Sequence, residues 1–106
     1  MDQQFLIVLT TAGSEPQGRE IARALVERGL AACVSVLGPA CSVYRWQGRV
    51  VEEEERLLVI KTSAGRFEAV RAAIRELHSY EVPEVLALPI ERGDPAYLEW
   101  LARSVE

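Results

Sequence analysis

Apolar and polar residues alternate in recognisable segments from the start of the chain. Phe5 to Leu9 is an unbroken apolar run, which is typical of a strand buried on both faces. Gly13 then supplies a turn, and Ser14 with Gln17 three residues later forms a capping-box pattern that predicts a helix start. The residues that follow form the apolar stripe of this helix and its terminating glycine: Ile21, Ala22, Leu25 and Gly29.

A long hairpin is predicted next. Residues 31–37 form a second strand, which Gly38-Pro39 interrupts because proline cannot donate to a ladder, and the alternation from Ser42 to Trp46 resumes it. Gln47-Gly48 predicts a tight turn, from which residues 49–62 run back antiparallel. Strands of this length exceed what a small sheet covers, so we expect the hairpin to project beyond it.

The second half of the chain contributes two helices and one strand. The first helix has a single apolar face, formed by Phe67, Val70, Ile74 and Leu77. The apolar run from Glu84 to Ile90 predicts a fourth strand, and Asp94-Pro95 opens a C-terminal helix. The order βαββαβ plus a final helix predicts an α+β, ferredoxin-like sandwich in a single domain over residues 1–106, with helices on one face of an antiparallel sheet.

The uncovered face of this sheet predicts association between subunits. Residues 31–37 and 57–60 are too continuously apolar for strands with one face in water, so we expect a further subunit to cover them. Tyr44 and Trp46 alternate near the tip of the hairpin, far from their own core. We therefore expect both aromatic side chains at a subunit interface.

Composition and charge exclude several partners. A net charge of -4 without clustered cations disfavours nucleic acid. No apolar run approaches the roughly 18 residues of a membrane span, and the N-terminus lacks the basic region of a signal peptide, so we expect a cytoplasmic protein.

Cys33 and Cys41 are expected to be reduced and to pack as small buried hydrophobes. Eleven Arg against one Lys, and no Asn, are compatible with a thermophilic source, although a high genomic GC content also favours Arg.

Two groups of residues are candidates for metal chemistry. Alternation along the predicted strand sends Glu53 and Glu55 to one face and Glu52 and Glu54 to the other. Such a pair can help to bind a hard cation, but the sequence favours a charged, aggregation-resistant hairpin. His78, the only histidine, falls at the C-terminal end of a helix, where the helix dipole favours a charged imidazole as a cap. As a metal ligand it has no cysteine or second histidine nearby in sequence.

The motifs of common enzyme classes are missing from the sequence. It contains no P-loop, no GxGxxG and no HExxH, and the single histidine has no acidic or serine partner at a recognised triad spacing. We therefore predict that the protein is not an enzyme.

Several strings taken together, in order along nearly the whole chain, resemble the CutA divalent-cation tolerance proteins. They are Ala31-Ala32-Cys33-Val34, Ser42-x-Tyr44-x-Trp46-x-Gly48, Glu53-x-Glu55, Lys61-Thr62, His78-x-Tyr80-x-x-Pro83-Glu84 and Gly93-Asp94-x-x-Tyr97-Leu98-x-Trp100. The resemblance implies a ferredoxin-like subunit in a homotrimer similar to the PII signalling proteins, a cytoplasmic location, and a role in tolerance of copper and other divalent metals.

The resemblance also implies site residues. The metal ligands proposed for some relatives fall at Thr10, Leu77 and His78, so His78 is the candidate metal ligand, with Cu²⁺ as a possible cation and no cofactor required. It places an intersubunit cleft or interface at Tyr44, Trp46, Lys61, Tyr80 and Glu84. Two alternatives stay open: a PII-like sensor or scaffold that binds a small molecule in intersubunit clefts, and an uncharacterised enzyme with an intersubunit site.

Overall fold

The structure, a computed structural model, describes residues 3–105. Its elements follow the predicted order, with one short 3-10 turn added before the second helix. They are β1 (Phe5–Ala12), α1 (Glu15–Glu27), β2 (Cys33–Trp46), β3 (Arg49–Ser63), the 3-10 turn (Ala64–Arg66), α2 (Phe67–Leu77), β4 (Leu86–Pro89) and α3 (Pro95–Ser104). None of the helices in this range is long and apolar enough to cross a membrane.

The four strands form one antiparallel sheet in the order β2-β3-β1-β4. β1 is therefore central, as its apolar run predicts, and it pairs along its whole length with β3 from Phe5↔Ser63 to Ala12↔Arg56. β1 and β2 are parallel to each other on either side of β3, which is the arrangement that two βα crossovers produce in a ferredoxin-like fold. The predicted α+β fold class is confirmed.

One sheet face is closed by α1 and α2. Along β1 and β3 the even-numbered residues point to this face, and Val8, Leu58 and Ile60 are fully buried there. Ile21 and Leu25 from α1 complete the same core together with Val70 and Ile74 from α2. We call this side the covered face.

The opposite side, which we call the open face, is closed at one end only. There α3 packs Leu101 and Val105 against Phe5 and Ala32. Along the rest of this face the odd-numbered residues of β1 and β3 lie in line with two leucines of β4, Leu86 and Leu88, that are 55% and 50% exposed.

The hairpin forms as predicted and extends past the other strands. Its register shifts between Leu37 and Ala40, where Gly38-Pro39 interrupts the ladder. Gln47 and Gly48 both have positive φ at the turn, a conformation that glycine adopts without strain. β3 pairs with β1 only from Arg56 onward, so residues 49–55 and their β2 partners project as a two-stranded arm.

Three local predictions need correction. Ser14 caps α1 through its side chain, but the Gln17 amide does not return to Ser14; it contacts the Leu77 carbonyl and accepts from Ser79, because a tertiary partner replaces the local one. β4 is shorter than residues 84–90, since it pairs only with Leu6 to Leu9. Cys41 is exposed rather than buried, because it lies on the projecting arm, although both cysteines are free as expected.

Candidate functional site

A cavity of about 580 Å³ lies where the projecting arm meets the segment after α2. It opens on the same side of the sheet as Thr11, Ser42 and Glu55, so it belongs to the open face. The volume falls within the range of small-molecule sites. Its lining combines aromatic, hydroxyl and carboxylate side chains: Thr11, Ser42, Val43, Tyr44, Trp46, Glu53, Glu55, Tyr80, Glu81, Val82 and Glu84.

Two carboxylates of β3 each accept a hydrogen bond from a tyrosine. The Tyr80 hydroxyl donates to Glu55 at 2.7 Å, and the Tyr44 hydroxyl donates to Glu53. The two glutamates are two residues apart, so the pleat sends both to the cavity side of the arm. Glu55 is only 6% exposed, whereas Glu53 lies at the open rim. Each carboxylate is thus oriented by a phenol and keeps further acceptor capacity.

The same contacts keep both phenols protonated. The hydrogen bond from Tyr44 to Glu53, with smaller contributions from desolvation and the nearby carboxylates, raises the pKa of Tyr44 to about 12. Burial first, and then the hydrogen bond to Glu55, raises the pKa of Tyr80 well above the ordinary tyrosine value. At neutral pH both hydroxyls therefore act as donors to the carboxylates.

His78 lies behind the cavity and contacts two of its lining residues, Thr11 and Tyr80. Its Nε2–H donates to the backbone oxygen of Thr11 in β1, and its Nδ1 accepts from the backbone N–H of Tyr80 at 3.0 Å. The structure places His78 at the C-cap of α2, where its backbone N–H donates to the Ile74 carbonyl, while its ring contacts β1 and the Tyr80 backbone. The ring centroids of His78 and Tyr80 lie 4.5 Å apart. His78 thereby fixes the segment that carries the Tyr80 phenol to Glu55.

Four of the five residues predicted at a cleft or interface surround this cavity. Tyr44, Trp46, Tyr80 and Glu84 line it, although they come from two segments far apart in sequence. Lys61 lies elsewhere on the open face, beside Ile7, and donates to Ser35 Oγ at 2.9 Å and to Cys33 Sγ at 3.8 Å. The structure brings the aromatic members together and leaves the lysine apart from them.

Sequence reasoning missed the two central carboxylates. The sequence favours a solvated, charged hairpin for Glu53 and Glu55, but Glu55 is buried and both carboxylates accept a hydrogen bond from a tyrosine hydroxyl. Alternation along the strand places Glu53 and Glu55 on one face of the arm. The hairpin register pairs Ser42 with Glu53, and Tyr44, two residues after Ser42, lies on the same face as Ser42. Those two signals together predict that Tyr44 and Glu53 share a face within contact distance.

The three positions at which the family resemblance implies metal ligands do not come together as a metal site among the described residues. Thr10 is fully buried on the covered face, Leu77 packs against the core, and His78 has both ring nitrogens in hydrogen bonds. Within residues 3–105 no group of three or more His, Cys, Asp or Glu side chains is placed to hold a metal ion. The described residues therefore offer no preformed site for a resident copper ion.

The sequence matches a known family model and its members. The model described as CutA1 divalent ion tolerance protein matches residues 6–104. A divalent-cation tolerance protein CutA of Thermus thermophilus is 50% identical over 95 residues, which cover 90% of this chain and 92% of that protein. Protein CutA of Mus musculus is 44% identical over 96 residues, which cover 91% of this chain but only 54% of the mouse protein.

Solved structures agree in fold along nearly the whole chain. The divalent cation tolerance protein of Thermus thermophilus superposes with a TM-score of 0.94 and 46% identity, covering 96% of this chain and 99% of that one. CutA1 from Oryza sativa superposes with a TM-score of 0.95 and 38% identity, covering 97% and 94%. Sequence and fold lead to the same assignment, and the chain belongs to the CutA1 divalent ion tolerance protein family.

Proposed function

We propose that this chain acts in divalent-cation tolerance as a homotrimer assembled through its open face. The observation that carries this proposal is the exposure of Leu86, Leu88 and Trp46 on that face and its arm, since a lone subunit leaves these apolar surfaces in water. Light scattering on the full chain at micromolar concentration tests it. A trimer mass is expected, and a monomer mass contradicts the proposal.

Divalent metal binding in this proposal is weak. Cu²⁺ ligation by His78 has to displace either the Thr11 or the Tyr80 hydrogen bond, which costs on the order of 1 kcal/mol. Imidazole ligates in its neutral form, so affinity falls toward acidic pH. Calorimetry with Cu²⁺ at neutral and acidic pH on the wild type and His78→Ala tests this, and equal affinity in both proteins contradicts a site at His78.

Catalytic turnover is not part of the proposed function. The one histidine is held by two backbone groups, so its ring nitrogens have no side-chain nucleophile to activate. We expect no hydrolysis of acyl phosphates or esters by the purified protein. Hydrolysis that a single substitution abolishes contradicts this expectation.

A cytoplasmic location is proposed because the resemblance to the CutA family implies it for this chain. Relatives differ in this respect, since one from Arabidopsis thaliana is named chloroplastic and one from Archaeoglobus fulgidus is named periplasmic. Fractionation of the source cells tests the proposal, and recovery outside the cytoplasmic fraction contradicts it.

The cavity favours a second candidate function, a PII-like sensor or scaffold that binds a small molecule. Its volume and its mixture of three aromatic side chains with oriented carboxylates are typical of a ligand site rather than of a solvated surface. A thermal-shift screen of small molecules tests this function. A ligand whose stabilising effect is lost in Tyr80→Phe supports it, and a screen without any stabilising compound contradicts it.

A further inference from the structure

The cavity has a strong negative charge that the subunit itself does not neutralise. Four glutamates line it, at positions 53, 55, 81 and 84, and the lining contains no lysine, arginine or histidine. The described part of the chain places no cationic group within 4.0 Å of Glu55. Burying a carboxylate without a counter-charge is costly, so a cation supplied from outside is the expected partner.

Glu55 is the decisive member because it is buried and faces the cavity. It is 94% shielded from solvent, and its one hydrogen bond comes from the neutral Tyr80 hydroxyl at 2.7 Å. A phenol donor orients the carboxylate and leaves its charge uncompensated. Lone pairs on both Glu53 and Glu55 remain for N–H donors of a ligand.

Aromatic side chains that line the cavity with these carboxylates restrict the class of cation. The Trp46 indole is 49% exposed and lines the cavity with the Tyr44 ring. Indole and phenol faces attract cations that are weakly hydrated and flat enough to stack. The cavity is also far larger than a bare ion requires, and the described residues do not cluster into a three-ligand metal site.

A guanidinium group matches the three features of this cavity, namely the uncompensated carboxylates, their free acceptor lone pairs and the neighbouring aromatic side chains. It carries five N–H donors in a planar fork that binds carboxylates in pairs, and its face stacks on aromatic rings. A primary ammonium offers three donors around a point charge and stacks less well, and a neutral urea of the same shape offers no charge to Glu55.

We infer that the cavity bounded by Tyr44, Trp46, Glu53, Glu55 and Tyr80 binds a guanidinium group. The inference rests on the second candidate function, because it names the ligand class of that same cavity. Two sources supply this chemistry: a free guanidinium compound, or an arginine side chain of a second copy of this chain, which has eleven arginines.

Calorimetry on the full chain with matched probes tests the inference. Nα-acetyl-arginine amide is compared with Nα-acetyl-citrulline amide, which has the same shape without the charge, and with Nα-acetyl-lysine amide. We expect saturable binding of the arginine probe, with the citrulline probe at least about tenfold weaker and the lysine probe in between.

Variants of one strand locate the binding. Glu55→Gln removes the buried charge while its amide oxygen still accepts from Tyr80, and we expect it to weaken the arginine probe by about tenfold or more. Glu54→Gln removes the same charge from the opposite face of β3 and serves as the matched control, with binding unchanged. If Glu55→Gln does not fold, Glu53→Gln at the exposed rim replaces it.

The outcomes separate the two sources and the two proposals. In one outcome the wild type does not bind the arginine probe, and Glu55→Gln, but not Glu54→Gln, lowers the oligomer mass in light scattering. An arginine of a second copy then fills the cavity, and the inference stands. Equal affinity for the arginine and citrulline probes overturns the guanidinium assignment and leaves small-molecule binding in place. Binding of neither probe, with equal masses for both variants, overturns the guanidinium inference, and the ligand screen then decides the second candidate function.

Discussion

The two faces of the sheet are made by the same strands but are completed in different ways. On the covered face Leu58 and Ile60 are fully enclosed by α1 and α2, and the core closes within the subunit. On the open face Glu55 has no cation and Lys61 no carboxylate within 4.0 Å among residues 3–105, and two leucines of β4 are half exposed. The covered face therefore completes the fold of the subunit, and the open face is the one to which we assign the proposed assembly and ligand binding.

Two adjacent leucines of β3 test the difference between the two faces most directly. Leu58 points to the covered face and Leu57 to the open face. Leu58→Ala creates a cavity in a closed core and is expected to lower the free energy of unfolding by about 2–5 kcal/mol. Denaturant unfolding measures this loss, which we expect at every protein concentration tested.

Leu57→Ala is the matched control on the opposite side of the same strand. If the open face is buried by another subunit, the loss of stability in this variant depends on protein concentration and is accompanied by a lower mass in light scattering. An equal, concentration-independent loss in both variants means that the open face belongs to the subunit's own core.

Trp46→Ala tests the arm of the open face and is expected to have the next largest effect. The indole lies beside the Gln47-Gly48 turn and is half exposed in the subunit, so its burial depends on what the arm reaches. Truncating such an aromatic at the proposed interface is expected to cost about 2 kcal/mol of association and to weaken the proposed trimer. Sedimentation and melting temperature measure the change.

Val50→Ala controls for effects on the hairpin itself. Val50 is exposed and pairs with Arg45, so it faces away from Trp46 on the same arm. We expect the mass of this variant in light scattering to equal that of the wild type. Unchanged mass and melting temperature in Trp46→Ala place the indole outside the interface.

The fold is predictable because its signals are local. The Gln47-Gly48 turn, the Ser14 and Asp94 caps and the face of α2 each depend on residues within one turn or one strand, and all appear in the structure. Gln17 shows the limit of such signals, since contacts with Leu77 and Ser79 replace its local partner. Local patterns identify elements, and tertiary contacts decide which side chains they bring together.

The cavity could be predicted only in part because its contacts join distant segments. His78 contacts Thr11 across 67 residues, and Tyr80 contacts Glu55 across 25. The family resemblance identified the aromatic members by their motifs, whereas the burial of Glu55 depends on how the segment after α2 folds back on the arm. No pattern along one strand contains that information.

Thr10 is a buried polar residue in the otherwise apolar core of the covered face, and its replacement is expected to raise stability. Its hydroxyl is fully buried and has no hydrogen-bond partner among the described residues. Thr10→Val removes an unsatisfied polar group at similar volume, so we expect the free energy of unfolding to rise by about 1 kcal/mol. Thr62→Val is the matched control, because the equally buried Thr62 hydroxyl donates to the Leu30 carbonyl at 2.6 Å. There we expect a loss of about 1 kcal/mol, and a gain in both variants contradicts the distinction.

The smallest expected effect is the titration of Tyr44, which reports directly on the carboxylates of the cavity. Its pKa of about 12, against an ordinary value of 10.0, means that the folded protein holds the phenol proton more tightly than the unfolded chain does. The stability from this contact is therefore complete below pH 10.0 and is lost as the pH rises toward about 12. Glu53→Gln removes the main cause, so carbon NMR of the Tyr44 ring is expected to show its pKa moving toward 10.0, while Glu52→Gln on the opposite face leaves it in place. An equal shift in both variants attributes the raised pKa to the general negative charge of the arm, and the hydrogen bond to Glu53 then no longer explains it.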